Sequence, residues 1–287
     1  MKTSRLFLFT LLALAAFAGN SLLCRFALKQ TTLDAASFTL IRILSGALVL
    51  TILVAARKGQ SRVGGNWLSA LALFAYAAAF SCAYVTLSAG TGALLLFAAV
   101  QATMILWGVR RGERLHVRQL FGLTISLGGL VALLLPGIAA PPIGGSLLML
   151  TAGVAWGIYS LRGRAGGDPM VATAGNFLRA VPCALLLSFV LWPSLRFDPA
   201  GAGYAIASGA IASGLGYAIW YAALPGLTAP IAASVQLSVP VLAAIGGILL
   251  LHEPLTWRFL CASTAVLGGI ALVALRRRPS RGRSRIP

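Results

Sequence analysis

The sequence predicts an all-α membrane protein: ten transmembrane helices in two inverted five-helix repeats. Three observations carry the prediction. Of 287 residues 59% are hydrophobic and only 10% charged, with a mean hydropathy of +0.91, whereas a soluble domain carries roughly 25% charged residues. The apolar residues come in runs of about 20, the length that crosses ~30 Å of hydrocarbon at ~1.5 Å per residue. The pattern that closes the first half of the chain also returns at its end.

In order, the spans fall at 6–28, 34–56, 66–88, 91–109, 117–135, 144–161, 169–192, 200–224, 227–251 and 256–275. Turn residues or charges separate them: RKGQSRVGG after the second, SAGTG after the third, RRGER after the fourth, PGIAAPPIGG after the fifth, RGRAGGD after the sixth and ALPGLTAP after the eighth. The loops are short and no soluble domain is inserted. At the N-terminus, Lys2 and Arg5 precede an apolar stretch, and AFA at 16–18 resembles a signal-peptidase site. An uncleaved first helix is the favoured reading, because the apolar stretch runs on to Leu28. Cys24, Cys82, Cys183 and Cys261 lie inside apolar runs without a CxxC pair and read as small buried packing residues.

The charge is lopsided, 23 Lys and Arg against 5 Asp and Glu, net +18. In a soluble protein this would suggest nucleic acid; here the basic residues flank apolar runs and set orientation instead. With the N-terminus inside, seventeen basic residues face inward, six of them in the tail from Arg276 to Arg285. Outside lie Lys29, Arg196 and Arg258, with Arg25 near a boundary. Both termini are therefore expected in the cytoplasm. The tail could also meet anionic lipid heads.

Residues 112–135 and 252–275 are identical at nine of 24 positions, pairing Glu113 with Glu253, Arg118 with Arg258 and Gly128-Gly129 with Gly268-Gly269. Upstream, AVQAT at 99–103 matches SVQLS at 234–238, and FTLIRILSGALVL from 38 matches GNFLRAVPCALLL from 175, which pairs Arg42 with Arg179. The chain thus divides into repeats at 1–138 and 139–276 and a basic tail at 277–287. Five helices is an odd number, so the second copy is inserted upside down. The loop before span five carries four arginines and its counterpart before span ten carries one, as inversion requires. Inverted repeats are an architecture of secondary transporters, with the solute site near the midplane.

These motifs resemble the drug/metabolite transporter superfamily, EamA type. The paired closing pattern appears here as Glu113, Leu115, Gly122, Gly128 and Gly129, and again as Glu253, Leu255, Gly268 and Gly269, with Ala262 where the first copy has Gly122. Within the superfamily the chain looks most like bacterial amino acid exporters, the aromatic ones included. The resemblance implies a multi-pass inner-membrane transporter without cofactor or metal. Its central cavity would be lined mainly by spans 1, 3, 4, 6, 8 and 9, with spans 5 and 10 peripheral. Monomer and homodimer both remain open.

Side chains that carry transport are sought among polar groups inside apolar runs, where each costs free energy. Arg42 and Arg179 sit at matched depths of spans two and seven. They attract a substrate carboxylate, or they snorkel or cap carbonyls between helices. Asn20, Gln101, Asn176 and Gln236 bind solute or tie helices together. Aromatic stripes run through Tyr76, Phe80 and Tyr84 on span three, Trp156 and Tyr159 on span six, and Tyr217, Trp220 and Tyr221 on span eight. An aromatic cavity wall and ordinary packing are both compatible with them. Pro230 and Pro240 mark span nine as a gate or a static kink, and Gly153 with Gly157 reads as a close helix contact.

Asp34, Glu113, Asp168, Asp198, Glu253, His116 and His252 all fall at helix ends or in loops. A proton-coupled carrier usually holds its proton on a mid-membrane group, so the sequence predicts facilitated export rather than proton antiport. It also offers no counter-charge for a polycationic drug. Ser208-Gly209 and Ser213-Gly214 could supply a nucleophile, but no mid-span histidine accompanies them, so an intramembrane protease is not expected. The remaining alternatives are a carrier of another small metabolite or drug, and a channel.

Overall fold

The computed structural model describes residues 3–57, 64–112, 115–137, 140–163, 167–227 and 229–274. Its regular elements are helices throughout. They are α1 Thr3–Gln30, α2 Ala35–Ala55, α3 Trp67–Tyr84, α4 Ala89–Arg110, α5 Val117–Leu134, α6 Ile143–Gly163 and α7 Pro169–Val190. α8 spans Pro199–Gly226, α9 runs in two pieces, Ala229–Gln236 and Ser238–Leu251, and α10 is Trp257–Ala274. Among the described residues nine of these are long and apolar enough to cross a bilayer, and the tenth is an apolar helix close to that length. The expected all-helical membrane fold is what the chain adopts. α1 runs unbroken through residues 16–18.

In hydrocarbon every backbone polar group must find a partner within the protein. The helix starts meet this demand with short polar side chains, which spare the first N–H groups from going unbonded. Asp34 accepts from the N–H groups of Ala36 and Ser37, both at 2.9 Å, to cap α2. Asn66 caps α3, Ser88 caps α4, Asp168 caps α7 and Asp198 caps α8. Pro169 and Pro199 follow the last two caps, at a position where a missing N–H costs nothing.

Contacts at the bundle ends fix the helix directions. At one end Asp34 accepts from the Arg196 N–H ahead of α8, Arg25 and Lys29 of α1 reach the connection between α9 and α10, and Arg258 of α10 reaches Leu135 past α5. At the other end Arg57 pairs with Asp168 at 3.0 Å, Arg162 of α6 reaches Asn66 and Ser69 of α3, and Gln119 of α5 reaches Val273 of α10. Consecutive helices therefore alternate in direction, and each of α1–α5 runs opposite to the helix five places later. The main packing pairs are α5 with α10, α2 with α7, α4 with α9, α3 with α6, α1 with α8, α4 with α6, α1 with α9, α2 with α8 and α3 with α7. Exchanging each helix for the one five places away leaves this set unchanged.

The glycine motifs now have a physical reason. Gly122 faces the backbone of Gly269, and Gly129 faces Ala262 and Ala265, so a β-carbon at either would strike the opposite helix. The small residues let α5 and α10 lie backbone to backbone. This pair stands apart from the rest, and Leu120, Phe121 and Val131 of α5 are exposed as lipid-facing residues should be. Gly153 and Gly157 seat α6 on Ala99 and Thr103 of α4.

Three features refine the sequence reading. The eighth span is not a plain α-helix: Ala207–Leu215 is wound as a π-helix. The ninth is broken at Leu237, because Pro240 has no N–H for the Gln236 carbonyl four residues back. Leu237 N–H bonds instead to the Ser234 carbonyl at 3.1 Å. Finally, Cys24 is buried as expected and Cys82 and Cys183 are half-buried, but Cys261 lies on the exposed face of α10, where no neighbouring helix covers it. Glu113 and the arginines at 114, 164 and 276–285 lie outside the described residues.

Candidate functional site

Four helices meet around Arg42, whose side chain is 1% exposed. Gly209 brings α8 against the Arg42 carbonyl and Ser45, an approach a β-carbon would prevent. The π-wound segment that begins beside it sets Ser208 opposite Asn20. A chain of hydrogen bonds follows: the Ser208 hydroxyl donates to Asn20 Oδ1 at 2.7 Å, and Asn20 Nδ2 donates to the Tyr76 hydroxyl at 3.3 Å. Arg42 Nη2 donates to the same hydroxyl oxygen at 3.0 Å. The guanidinium lies 4.9 Å from the centre of the Phe80 ring and 5.2 Å from that of Tyr76, in cation–π contact with both.

Arg42 Nη1 is buried without a hydrogen-bond partner. The other unpartnered buried polar atoms among the described residues are the hydroxyls of Thr51, Ser188 and Ser213, so Nη1 alone belongs to a charged group. No described carboxylate answers Arg42. Asp34, Asp168 and Asp198 cap helices, while Glu253 accepts from Arg25 Nε at 3.1 Å and from the Ala89 N–H at 2.8 Å. An unpaired buried charge is among the costliest arrangements a protein can hold.

Around this knot the aromatic residues form one connected network. Trp156 is its hub, with ring centres 4.8 Å from Tyr76, 5.2 Å from Tyr159 and 5.5 Å from Tyr217, the last stacked at 21°. Phe80 and Tyr84 continue it along α3 at 4.7 Å, and Tyr221 joins through Tyr217. Trp220 joins through Phe17 at 5.8 Å. A second polar group sits beside it: Tyr159 donates to Thr173 at 3.2 Å, Thr173 meets the Tyr221 hydroxyl at 3.0 Å, and Asn176 Nδ2 reaches Tyr159 at 3.5 Å.

The structure thus brings Asn20, Arg42 and all eight aromatic candidates together. It leaves others apart. Arg179 is half-buried and donates from Nη1 to the Gly64 carbonyl at 2.7 Å and the Gly175 carbonyl at 3.0 Å, fastening α7 to the segment before α3. Gln101 lines a separate cavity of about 490 Å³ between α4, α5, α6 and α10. Gln236 is half-buried at the break in α9, and Pro240 lies in the first turn beyond it. Pro230 begins the first piece of α9, its side chain outside the described residues. Sequence reasoning missed Phe17 and Phe177, which contact Tyr217 at 5.9 and 6.2 Å. Phe17 was findable, lying one helical turn before Asn20 on the same face.

Outside the spans, burial raises the Asp34 carboxyl, but hydrogen bonds from Ser37, Arg196 and Ala36 outweigh this and hold it below its usual 3.8. Asp198 is likewise lowered, chiefly by the Gly201 N–H.

Residues 143–275 match the EamA-like transporter family. A protein of Pseudomonas aeruginosa described as uncharacterised is 61% identical over 274 residues, 95% of this chain and 96% of its own length. A protein of Archaeoglobus fulgidus described as an uncharacterised transporter is 29% identical over 201 residues, 67% of this chain and 70% of its own. A solved crystal structure shares the fold with a TM-score of 0.67 at 18% identity, covering 95% of this chain and 98% of that one. The second half of this chain, residues 143–275, thus matches the EamA-like transporter family, and the chain folds as a multi-pass helical membrane protein.

Proposed function

We propose that the protein exports amino acids or similar small amphipathic metabolites, aromatic amino acids among them, by alternating access across a bacterial inner membrane. The observation that carries this reading is the acid-free Arg42 set in an aromatic network where α1, α2 and α3 meet α6, α7 and α8. Aromatic walls with a few polar groups suit a solute with an apolar body and one polar end. Opposed helix directions and exchange-symmetric packing support two inverted halves, 1–138 and 139–276, rocking about that centre. The break at Leu237 gives the second half a discontinuous helix on which a gate can turn. Close ring packing through the centre favours a carrier over a channel. The excess of basic residues on one side supports cytoplasmic termini.

Export is facilitated in this reading, since the one buried carboxylate among the described residues, Glu253, is engaged by Arg25 and the Ala89 N–H at a bundle end. Counterflow of radiolabelled amino acids in proteoliposomes tests it. The expected result is saturable, trans-stimulated uptake that persists without a pH gradient. No counterflow with any amino acid tested, or strict dependence on a proton gradient, overturns it.

A further inference from the structure

We infer that the solute's recognised group is a carboxylate and that the site prefers an aryl carboxylate lacking an amino group over the matching zwitterionic amino acid. The inference rests on the reading that the centre around Arg42 receives the solute, and it sharpens the substrate class. Arg42 is fully buried, has Nη1 unsatisfied, and meets no described acid. A guanidinium presents paired donors that match a carboxylate's two oxygens, so a carboxylate neutralises the charge and supplies Nη1 with an acceptor.

Beside Arg42 itself the hydrogen-bond acceptors are taken, which leaves little for an ammonium there. The Tyr76 oxygen already accepts from Arg42 and Asn20, and Asn20 Oδ1 accepts from Ser208. The four described carboxylates are engaged at the bundle ends. In an α-amino acid the ammonium is attached to the carbon next to the carboxylate, so binding forces it close to Arg42 where like charges are poorly screened. A monoanion leaves the loaded site neutral; a zwitterion leaves it positive. The flat Trp156 and Tyr217 faces favour a planar apolar body. Outward movement of such an anion is electrogenic and is driven by an inside-negative potential.

The test uses the purified full chain and a matched set of probes: hydrocinnamate, its neutral amide hydrocinnamide, L-phenylalanine and phenethylamine. Calorimetry reads binding, and counterflow in proteoliposomes reads transport. Hydrocinnamate is expected to bind at least about tenfold more tightly than hydrocinnamide or L-phenylalanine, as loss of a charge-assisted contact at a buried site implies, with phenethylamine weakest. Arg42→Gln should erase the acid-over-amide preference, and Arg42→Lys, which keeps the charge and guards against misfolding of the first variant, should retain it at reduced affinity. Equal binding of acid and amide, tighter binding of L-phenylalanine, no binding of hydrocinnamate, or an acid preference that survives Arg42→Gln overturns the inference. The carrier reading fails separately: hydrocinnamate bound through Arg42 without counterflow sinks transport and leaves the anion site standing, whereas amino acid counterflow without acid preference does the reverse.

Discussion

Arg42 and Arg179 occupy matched positions in the two sequence copies, yet the fold treats them differently. Arg179 is half-buried and fastened to two backbone carbonyls. Arg42 is sealed among aromatic rings, with one nitrogen unpartnered. Arg25 is a third case, paired with Glu253 at 3.1 Å where α1 meets the connection between α9 and α10. A duplicated chain need not use its copies alike. An asymmetric solute needs one charged contact, and the structure leaves a single arginine of the matched pair with a buried nitrogen that has no acceptor.

The comparison can be broken or sharpened by substitution. The largest effect is expected from Arg42→Gln, which should lower solute counterflow by about a thousandfold, or ~4 kcal/mol, because a desolvated charged contact is lost. Next, Glu253→Gln should lower thermal stability of the solubilised chain by about 3 kcal/mol, since it leaves Arg25 without its buried partner. Its effect should appear in unfolding and not in solute affinity; a pure affinity loss would erase the distinction between Arg25 and Arg42. Arg179→Gln should cost about 1 kcal/mol of stability and change counterflow less than about threefold. If it matched Arg42→Gln in counterflow, the contrast between the copies would collapse.

The smallest effect concerns Asp34. Its carboxyl is held below 3.8 in the folded protein, so its stabilisation is present above the unfolded value and is lost as pH falls through the folded one. Asp34→Asn should therefore lower stability slightly across the neutral range and flatten the acid limb below about pH 4, where the two curves converge. A variant curve parallel to the wild type through that limb would show that the cap contributes through its shape alone.

Much of this was legible in the sequence, for identifiable reasons. Hydropathy runs locate helices because the bilayer fixes their length, and α1–α7 and α10 fall where the runs lie. Gly153 and Gly157 marked a close contact because only small residues allow it, although which helices touched was not readable; that Gly122 and Gly269 also mark one is seen only in the fold. The aromatic stripes were legible from helical spacing, since rings one turn apart share a face. Arg42 and Arg179 could not be separated from sequence: their difference lies in what other segments bring, Gly64 to one and Tyr76 and Phe80 to the other. The π-wound stretch at Ala207–Leu215 left no periodic signal, because small Ala, Ser and Gly residues fit either winding. Gln101 looked equivalent to Gln236 along the chain, yet it lines a different cavity, because α4 turns that face toward α5, α6 and α10.

The most direct measurement is a crystal structure of the full chain with a bromine-labelled aryl carboxylate, read by anomalous scattering. The account predicts one bromine peak within the network of Trp156 and Tyr217, with the carboxylate on Arg42 Nη1. A peak confined to the 490 Å³ cavity at Gln101, with Arg42 still unpartnered, would contradict it.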